Sequence, residues 1–375
     1  MPTGTGAVNL RNLPVTKYEI NPALFNQLTS RVIFDPINFP LPSAGNYTQN
    51  QLLQVGIVGA IKLIVTGSMT TSGAVVPSAR WPWDTIAVQL SGNGQNNFIN
   101  CQGTDLKLRE LASARGFVDG VSSWPVTADL NGAVTKTFTL VYKIPVAMDD
   151  TTLIGALYAQ SEATNLTYRI TTGTLADLFN TPGNVTAFTG TVYLEEEIFE
   201  VPYSPNDPSK LVIPDLTVLH GLVANDNAIA SQTTLDTQLF RINGQLERLF
   251  FYSVDKSSTP AFSATSNYNY AQLIYGSNQI PYTFQPMTML DARNNHDYRV
   301  PLTTALNGVN SRLWTPPWSG APVPNGAYCM DFVADNPARD QVLLEGVTNL
   351  RLRTNYVSAP TGGSYVHFVQ ETLFA

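Results

Sequence analysis

Charged side chains are scarce in this sequence: Asp, Glu, Lys and Arg make up 13% of its 375 residues, about half the share of an ordinary soluble protein. Hydrophobic residues still reach 43%, which excludes a disordered chain, because disorder requires low hydrophobicity and high charge. Extensive protein contact surfaces are depleted in Lys, and here Arg outnumbers Lys by 14 to 7. The composition therefore fits either a subunit with large protein contacts or a secreted β-protein with a neutral surface.

Positive charge and long apolar runs are lacking as well. The formal net charge of −7 argues against direct binding of nucleic acid through its phosphates. No apolar run approaches the roughly 18 residues of a membrane-spanning helix. The first residues lack the charged start and apolar block of a secretion signal, so synthesis and use in a cytoplasm is the simplest interpretation.

Cysteine and histidine are rare. Cys101 and Cys329 cannot form a disulfide framework and are predicted to be reduced and packed. His220, His296 and His367 are far apart in sequence and lack the spacing of metal ligands, so we interpret them as ordinary polar or packing residues. The sequence contains no phosphate-binding loop, no HExxH zinc motif and no GxSxG nucleophile motif. It predicts no cofactor, no bound metal and no catalytic site.

Three adjacent carboxylates are the strongest catalytic candidates. Glu195, Glu196 and Glu197 lie on a predicted strand, where alternation places Glu196 on the side of Leu194 and Ile198. A β-sandwich glycosidase would need a second carboxylate facing Glu196 a few ångströms away. We interpret the cluster instead as solvated charges or contacts between subunits.

Four tryptophans in proline-rich loops suggest a second kind of site. Trp81, Trp83, Trp314 and Trp318 are conceivable as a sugar-binding platform. Aromatic anchors are common at contacts between proteins. We therefore favour tryptophans that fill loops and subunit contacts.

Alternation with a period of two residues is the strongest positive signal, and it predicts an all-β protein. Predicted strands cover residues 56–68, 83–90, 134–144, 165–171, 191–201, 237–242, 248–254, 327–333, 349–357 and 364–374. Helical patterns are few and are predicted over 21–33, 104–116 and, more weakly, 150–160. In the first of these, Asn21 is a suitable N-cap, and one face carries Leu24, Phe25, Leu28 and Val32.

The chain repeats a short pattern after about half its length. The triplet Thr-Asn-Leu occurs twice at a spacing of 184 residues, and a Met-Asp pair precedes each copy at a spacing of 182 residues. The first set is Met148, Asp149, Thr164, Asn165, Leu166 and Arg169. The counterparts are Met330, Asp331, Thr348, Asn349, Leu350 and Arg353. The repeat predicts one domain built twice.

A linker divides the two copies. The segment 202–210 contains three prolines and no alternation. We therefore predict an N-terminal arm with a short helix over residues 1–40, a first β-domain over 41–211 and a second over 212–375.

Several stretches together resemble the major capsid proteins of tectiviruses, which are membrane-containing double-stranded DNA bacteriophages. The stretches are FDP (34–36), GIVGAIKLIVTGS (56–68), IPVAMDDTTLIGAL (144–157), EEEIFEVPYSP (195–205), LVIPDLTVLHGL (211–222) and PNGAYCMDF (324–332). Their order and spacing span most of the chain. Loops such as 69–82 and 256–320 match poorly.

The resemblance implies two eight-stranded jelly rolls side by side, a double jelly roll, with no enzymatic activity. It further implies pseudo-hexagonal homotrimers that tile an icosahedral shell over an internal membrane. The expected partners are the chain itself, neighbouring trimers and other virion proteins such as a vertex (penton) protein. The protein is then expected in the virion after synthesis in the host cytoplasm. The helix stripe of Leu24, Phe25, Leu28 and Val32 would face the underside of the barrel or the lipid, and a single short stripe makes protein contact the better expectation.

Two other classes of function stay open at this point. One is a binding module, either a virion spike or a secreted carbohydrate-binding β-sandwich, centred on the Trp-rich loops. The other is the β-sandwich glycosidase with Glu196 at its centre.

Overall fold

The computed structural model describes most of the chain outside the N-terminus and one long segment near residue 310. The described residues are 18–33, 37–78, 80–92, 96–113, 122–148, 152–160, 165–229, 232–239, 244–255, 261–262, 268–275, 279–287, 289–290, 292–294, 327–333, 342–344, 347, 349–359 and 365–374.

Twenty-two strands form most of the described structure. Those of the first half are β1 (Tyr18–Ile20), β2 (Arg31–Ile33), β3 (Ile37–Pro40), β4 (Tyr47–Gln51), β5 (Ile57–Thr71), β6 (Ile86–Gly92), β7 (Asn96–Gln102), β8 (Thr135–Pro145), β9 (Leu157–Tyr158), β10 (Leu166–Thr172) and β11 (Val185–Phe199). Those of the second half are β12 (Leu211–Ile213), β13 (Leu219–Ala228), β14 (Thr234–Gln238), β15 (Gln245–Asp255), β16 (Ala261–Phe262), β17 (Tyr268–Tyr275), β18 (Gln279–Phe284), β19 (Tyr328–Asp331), β20 (Val342–Leu343), β21 (Arg351–Tyr356) and β22 (Tyr365–Phe374).

Helices are short. They include α1 (Pro22–Leu28), α2 (Gly103–Ser113) and α3 (Leu175–Leu178), and residues 289–290 and 292–294 are helical as well. Single 3-10 turns occur at Trp83–Thr85, Thr127–Leu130 and Pro182–Asn184. In the part of the chain that the structure describes, no helix has the length and apolar character needed to cross a bilayer.

The same strand order occurs twice. In the first half, one sheet runs β2-β11-β5-β8, with β3 also paired to β11, and the strands β4-β10-β6-β7 are adjacent in that order. In the second half the corresponding orders are β13-β22-β15-β19 and β14-β21-β17-β18. The all-β class is confirmed, and the architecture is a double jelly roll. We refer to β2–β11 as the first roll and to β13–β22 as the second roll.

The repetition extends to one β-bulge. In the first roll Gly59 is skipped between the pairs Ala60–Glu197 and Val58–Ile198. In the second roll Glu247 is skipped between the pairs Arg248–Glu371 and Leu246–Thr372. The bulged residue accepts a hydrogen bond through its carbonyl oxygen in both rolls, from Ala147 N at 2.7 Å and from Phe332 N at 3.0 Å. A bulge kinks one strand at a fixed place, so both rolls bend at the same point.

The two rolls share one sheet. Strand β7 of the first roll pairs in parallel with β13 of the second roll, through Ile99–Leu222 and Asn100–Val223. This pairing produces a ten-stranded sheet that continues from one roll into the other. A large apolar core follows it across the junction and contains residues of both rolls, whereas the interior of the second roll has its own core.

The N-terminal arm joins the linker between the rolls. Strand β1 pairs in parallel with β12, and α1 follows directly with Asn21 as its N-cap, whose side chain accepts from Leu24 N at 3.1 Å. Strand β12 contains the predicted boundary at residue 211. The division of the chain at residues 40 and 211 stays a proposal, since β2 and β3 of the predicted arm already pair with β11.

Two helix predictions need correction. The pattern over 21–33 overestimated α1, which ends at Leu28, because the Thr29 N–H caps the last turn and the chain then becomes extended. Val32 therefore lies on β2 opposite Ile198 and not on the helix. The predicted helix over 150–160 is wrong where it is described, since Leu157 and Tyr158 form β9 against β5.

Candidate functional site

Two residue pairs of the predicted repeat, one of leucines and one of arginines, lie at corresponding places in the two rolls. Leu166 and Leu350 are both buried, Leu166 in the core that crosses the junction and Leu350 in the interior of the second roll. Arg169 lies opposite a glutamine of the neighbouring strand, Gln89, and Arg353 likewise lies opposite Gln272.

The Met-Asp pairs are displaced relative to each other. Met330 lies inside β19 opposite Leu249, whereas Met148 lies beyond the end of β8. By strand register the position of Met330 corresponds to that of Ile144, which lies opposite Ile61. Asn165 and Asn349 are exposed. Three residues of the predicted set lie outside the described residues, namely Asp149, Thr164 and Thr348.

The predicted helix stripe divides between protein contact and solvent. Phe25 is fully buried in a small cluster with Ile57 and Val212, and Leu24 packs against its edge. Leu28 is 40% exposed, and Val32 on β2 is half-buried. The helix is thus held to the linker and the first roll by one aromatic side chain.

Strand β22 is buried on both faces. Val366 and Phe368 face the interior of the second roll, while Tyr365 and Val369 belong to the core that reaches the first roll. Alternation along β22 therefore separates two buried faces and not a solvent-exposed face from a buried one. We call the buried polar residues on its first-roll side, together with their partners, the seam: Asp105, Arg109, His220, Arg248, His367 and Glu371.

Glu371 is the centre of the seam. Its side chain is 0% exposed, and it accepts from Arg109 Nε at 2.9 Å and from an Arg248 guanidinium nitrogen at 2.9 Å. His220 Nε2 lies 3.0 Å from the same carboxylate. Burial alone would raise the pKa of Glu371, but the two guanidinium groups and His220 hold it well below its usual range. Each side of the junction supplies a cation, since Arg109 belongs to α2 of the first roll and Arg248 to β15 of the second.

His367 forms the other half of the seam. Its Nε2 lies 2.9 Å from the buried Asp105 carboxylate of α2, and its Nδ1 lies 2.6 Å from Asp226 of β13. Burial by itself lowers the pKa of His367, but the two carboxylates raise it to about 10. The ring also stacks on Tyr252, with centroids 4.7 Å apart. An imidazolium between two carboxylates thus connects the rolls.

The sequence-based interpretation underestimated these residues. His220 and His367 were interpreted as ordinary polar or packing histidines, and Glu371 was given no role. A signal was present in SYVHFVQETLF (364–374), where His367 and Glu371 share a face with Tyr365, Val369 and Leu373. A polar pair on an otherwise apolar face indicates a buried contact, because an exposed face would contain fewer large apolar residues.

Glu196 is buried, so its interpretation as a solvated charge is wrong. It points between the sheets with Leu194 and Ile198 and is 2% exposed. The Leu53 N–H donates to its carboxylate at 3.2 and 3.3 Å. Burial raises the pKa of Glu196 to about 7, although the Leu53 hydrogen bond opposes the shift. By contrast Glu197 faces outward and pairs with Arg31 at 2.9 Å.

We predict that Glu196→Gln removes a pH dependence of folding. The pKa of the Glu196 carboxyl is higher in the folded protein than its ordinary value of 4.5. The protonated carboxyl therefore contributes its full stabilisation of the fold below pH 4.5, and this stabilisation is lost as the pH rises through about 7. At pH 4.5 the variant and the wild type should have the same free energy of unfolding. At pH 8 the free energy of unfolding of the variant should be higher by about 1–3 kcal/mol, after allowance for solvent screening. Urea denaturation at the two pH values measures this, with Glu195→Gln as the outward-facing control. An equal urea midpoint of variant and wild type at pH 8 would contradict the burial of the Glu196 carboxylate.

The tryptophans of the first proline-rich loop are core residues. Trp81 donates through Nε1 to the Pro125 carbonyl oxygen at 3.0 Å and contacts Phe138. Trp83 packs edge-on against Trp124. Neither Trp81 nor Trp83 can therefore present a flat face to a sugar. Trp314 and Trp318 lie outside the described residues.

The thiols and the carboxylates offer no metal centre in the described part of the chain. Cys101 and Cys329 are both free and buried, as predicted. Burial raises the pKa of the Cys101 thiol well above its ordinary value, and the carboxylates of Asp105 and Asp84 add to the shift. Within the described ranges no group of three or more His, Cys, Asp or Glu side chains is arranged to hold a metal ion.

Part of the outer face of the β11-β5-β8 sheet carries hydroxyl side chains and no charge. Two rows of hydroxyl side chains cross it, Thr191-Thr66-Thr139 and Thr189-Ser68-Thr137. These side chains are exposed or half-buried. This part of the face can be covered by another protein without desolvating charge, whereas the row Glu195-Lys62-Lys143 further along the same face is charged.

The chain is similar in structure to major capsid proteins of several viruses. The major capsid protein of Sulfolobus turreted icosahedral virus has a TM-score of 0.64 and 14% identity, over 92% of this chain and 96% of that one. The Faustovirus major capsid protein has a TM-score of 0.56 and 8% identity, over 92% and 90% of the two chains. The major capsid protein of bacteriophage PM2 has a TM-score of 0.51 and 9% identity, over 92% and 98%. At the level of sequence, no protein-family profile and no curated protein matches the chain.

Proposed function

We propose that this chain is a viral major capsid protein of the tectivirus type. It forms pseudo-hexagonal homotrimers that tile an icosahedral shell above an internal membrane. The observation that carries the proposal is the double jelly roll with one strand order in both halves, because three such chains supply six similar blocks around a common axis.

The seam supports this role mechanically. A capsid subunit that packs into a regular shell must keep its two rolls in a fixed relative orientation. The shared ten-stranded sheet and the buried charges of Glu371 and His367 hold the two rolls in one orientation. The same features leave the outer sheet faces of the chain available for neighbouring copies.

The composition fits the proposed contacts. Low charge and the Thr-rich face allow close packing between copies, since burial of unpaired charge is costly. Phe25 fixes α1 to the linker, so the helix contributes protein contact at the base and Leu28 is left for a neighbour or for the lipid. Other virion proteins, such as a vertex protein, would bind at the rims of the trimers, and the acidic chain would not contact the genome.

An enzymatic role has less support. The buried position of Glu196 weakens the glycosidase alternative. The core positions of Trp81 and Trp83 take two of the four tryptophans away from the sugar-binding alternative. We infer a structural protein whose mechanism is assembly through shape and buried area.

Light scattering of the purified chain tests the proposal. We expect a stable particle with a mass of about three times 40.8 kDa, because isolated tiles should assemble at least to the trimer. A monodisperse monomer at high protein concentration would contradict the proposal.

A further inference from the structure

The equivalent arginines of the two rolls, Arg169 and Arg353, have different partners. On the outer face of the second roll, Arg353 donates to both oxygens of Asp236 on the neighbouring strand, at 2.5 and 2.7 Å. In the first roll the register places Gln49 where Asp236 lies, opposite Arg169. The first roll therefore keeps the arginine of the repeat and lacks its carboxylate.

Arg169 has an aromatic support in place of a counter-charge. Its guanidinium carbon lies 3.6 Å from the centre of the Tyr47 ring. Its Nε–H is buried and has no acceptor among the described residues. A buried donor without an acceptor costs free energy, so this geometry favours a ligand that brings an acceptor.

The surroundings of Arg169 resemble the centre of a protein contact. Tyr47 is 56% exposed and lies on β4, the terminal strand of the ten-stranded sheet. The neighbouring strands present uncharged amides, and Gln89 donates to Asn100 at 3.2 Å. Tyr and Arg are the residue types over-represented among the dominant contacts of protein interfaces.

We infer that Arg169, supported by Tyr47, binds a carboxylate side chain of a second copy of this chain. Asp236 shows within the same molecule the ligand that this position accepts, since a carboxylate matches the guanidinium fork through two parallel hydrogen bonds. Asp and Glu outnumber Lys and Arg in the chain by 28 to 21. This inference rests on the proposed function, because it assigns one contact of the self-assembly proposed above.

A carbodiimide cross-link identifies the bound group directly. In Arg169→Lys the new amine would attack a carbodiimide-activated carboxylate in contact with it. The carbodiimide leaves as a urea that carries the lost oxygen, and an amide joins the two side chains. A mixture of nitrogen-15-labelled and unlabelled protein shows by mass spectrometry whether the joined peptides come from one chain or from two.

The expected result is a cross-linked pair with mixed labels that contains Lys at position 169. The matched control is Arg353→Lys, which should join only to Asp236 within one chain. A cross-link from position 169 that stays within one chain, or none in protein that is trimeric by light scattering, would overturn the inference and leave the proposed function in place.

Association measurements supply a second test. Arg169→Gln should weaken self-association in analytical ultracentrifugation by about tenfold or more, the loss expected for a desolvated charge pair. Gln49→Asp should also weaken self-association by about tenfold or more, because it supplies Arg169 with a carboxylate from its own chain. Its thermal unfolding midpoint should stay the same as that of the wild type. Arg353→Gln should leave association unchanged. Unaltered association in the first two variants would overturn the inference, whereas a wild type that stays monomeric would overturn the proposed function as well.

Discussion

Leu350→Asp is expected to prevent the second roll from folding. The side chain of Leu350 is fully buried in the interior of that roll. Its replacement removes a large apolar group and buries a charge without a partner. The cost should exceed about 5 kcal/mol, which is comparable to the whole stability of a domain. Because the rolls share a sheet and a core, soluble trimers should not be recovered.

Two further substitutions give this experiment its controls. Leu166→Asp, at the corresponding position of the first roll, should have an equally severe effect. Val357→Asp, at a side chain that is 68% exposed, should change the unfolding free energy by no more than about 0.5 kcal/mol. Soluble, folded trimers of Leu350→Asp in size-exclusion chromatography would refute the correspondence between the two rolls.

Glu371→Gln is expected to destabilise the chain by about 3–5 kcal/mol, because it removes the buried carboxylate that Arg109 and Arg248 share, although Arg248 keeps its ion pair with Asp331 at 2.8 Å. Chemical denaturation at pH 7 measures the loss. The pKa of Glu371 is depressed in the folded protein, so its contribution is present above pH about 4.5 and is lost as the pH falls further. The difference between variant and wild type should therefore shrink in acid.

The repeat supplies a matched control for Glu371. Glu197 occupies the same place beside the bulge of the first roll, but it pairs with Arg31, whose side chain is 54% exposed. Glu197→Gln should cost about 0–1 kcal/mol, as is typical of exposed ion pairs. Equal effects of the two substitutions would show that the seam contributes no more than a surface salt bridge.

Sequence alone predicted the strands whose two faces differ in polarity. In β8, Phe138, Leu140 and Tyr142 are buried, whereas Thr135 and Thr137 are exposed and Thr139 is half-buried, so the alternation predicted the strand almost to its ends. The repeated Thr-Asn-Leu predicted the second roll because both leucines must fill a core at the start of the same strand.

The seam could not be predicted in the same way. Whether a polar residue on a strand faces water depends on what packs against the sheet. Nothing within β22 alone shows that α2 of the first roll lies against it with Asp105 and Arg109. Glu196 shows the same limit, since alternation placed it on the side of Leu194 and Ile198, but the burial of its carboxylate follows from what packs against β11.

The helix that begins at Pro22 was predicted too long for a local reason. The apolar stripe continues to Val32, but the Thr29 N–H bonds to the Phe25 carbonyl oxygen and closes the last turn. The following residues satisfy their backbone groups better by pairing with β11. Tertiary pairing thus overrode a local period that fitted a helix.

Averaged electron micrographs of single particles of the purified wild type test the central claim most directly. If each chain contributes two equivalent upright blocks and three chains associate, views along the symmetry axis should show six lobes in a near-hexagonal outline. Averages with one lobe per chain, or isolated two-lobed particles at concentrations where light scattering detects no trimer, would contradict the account.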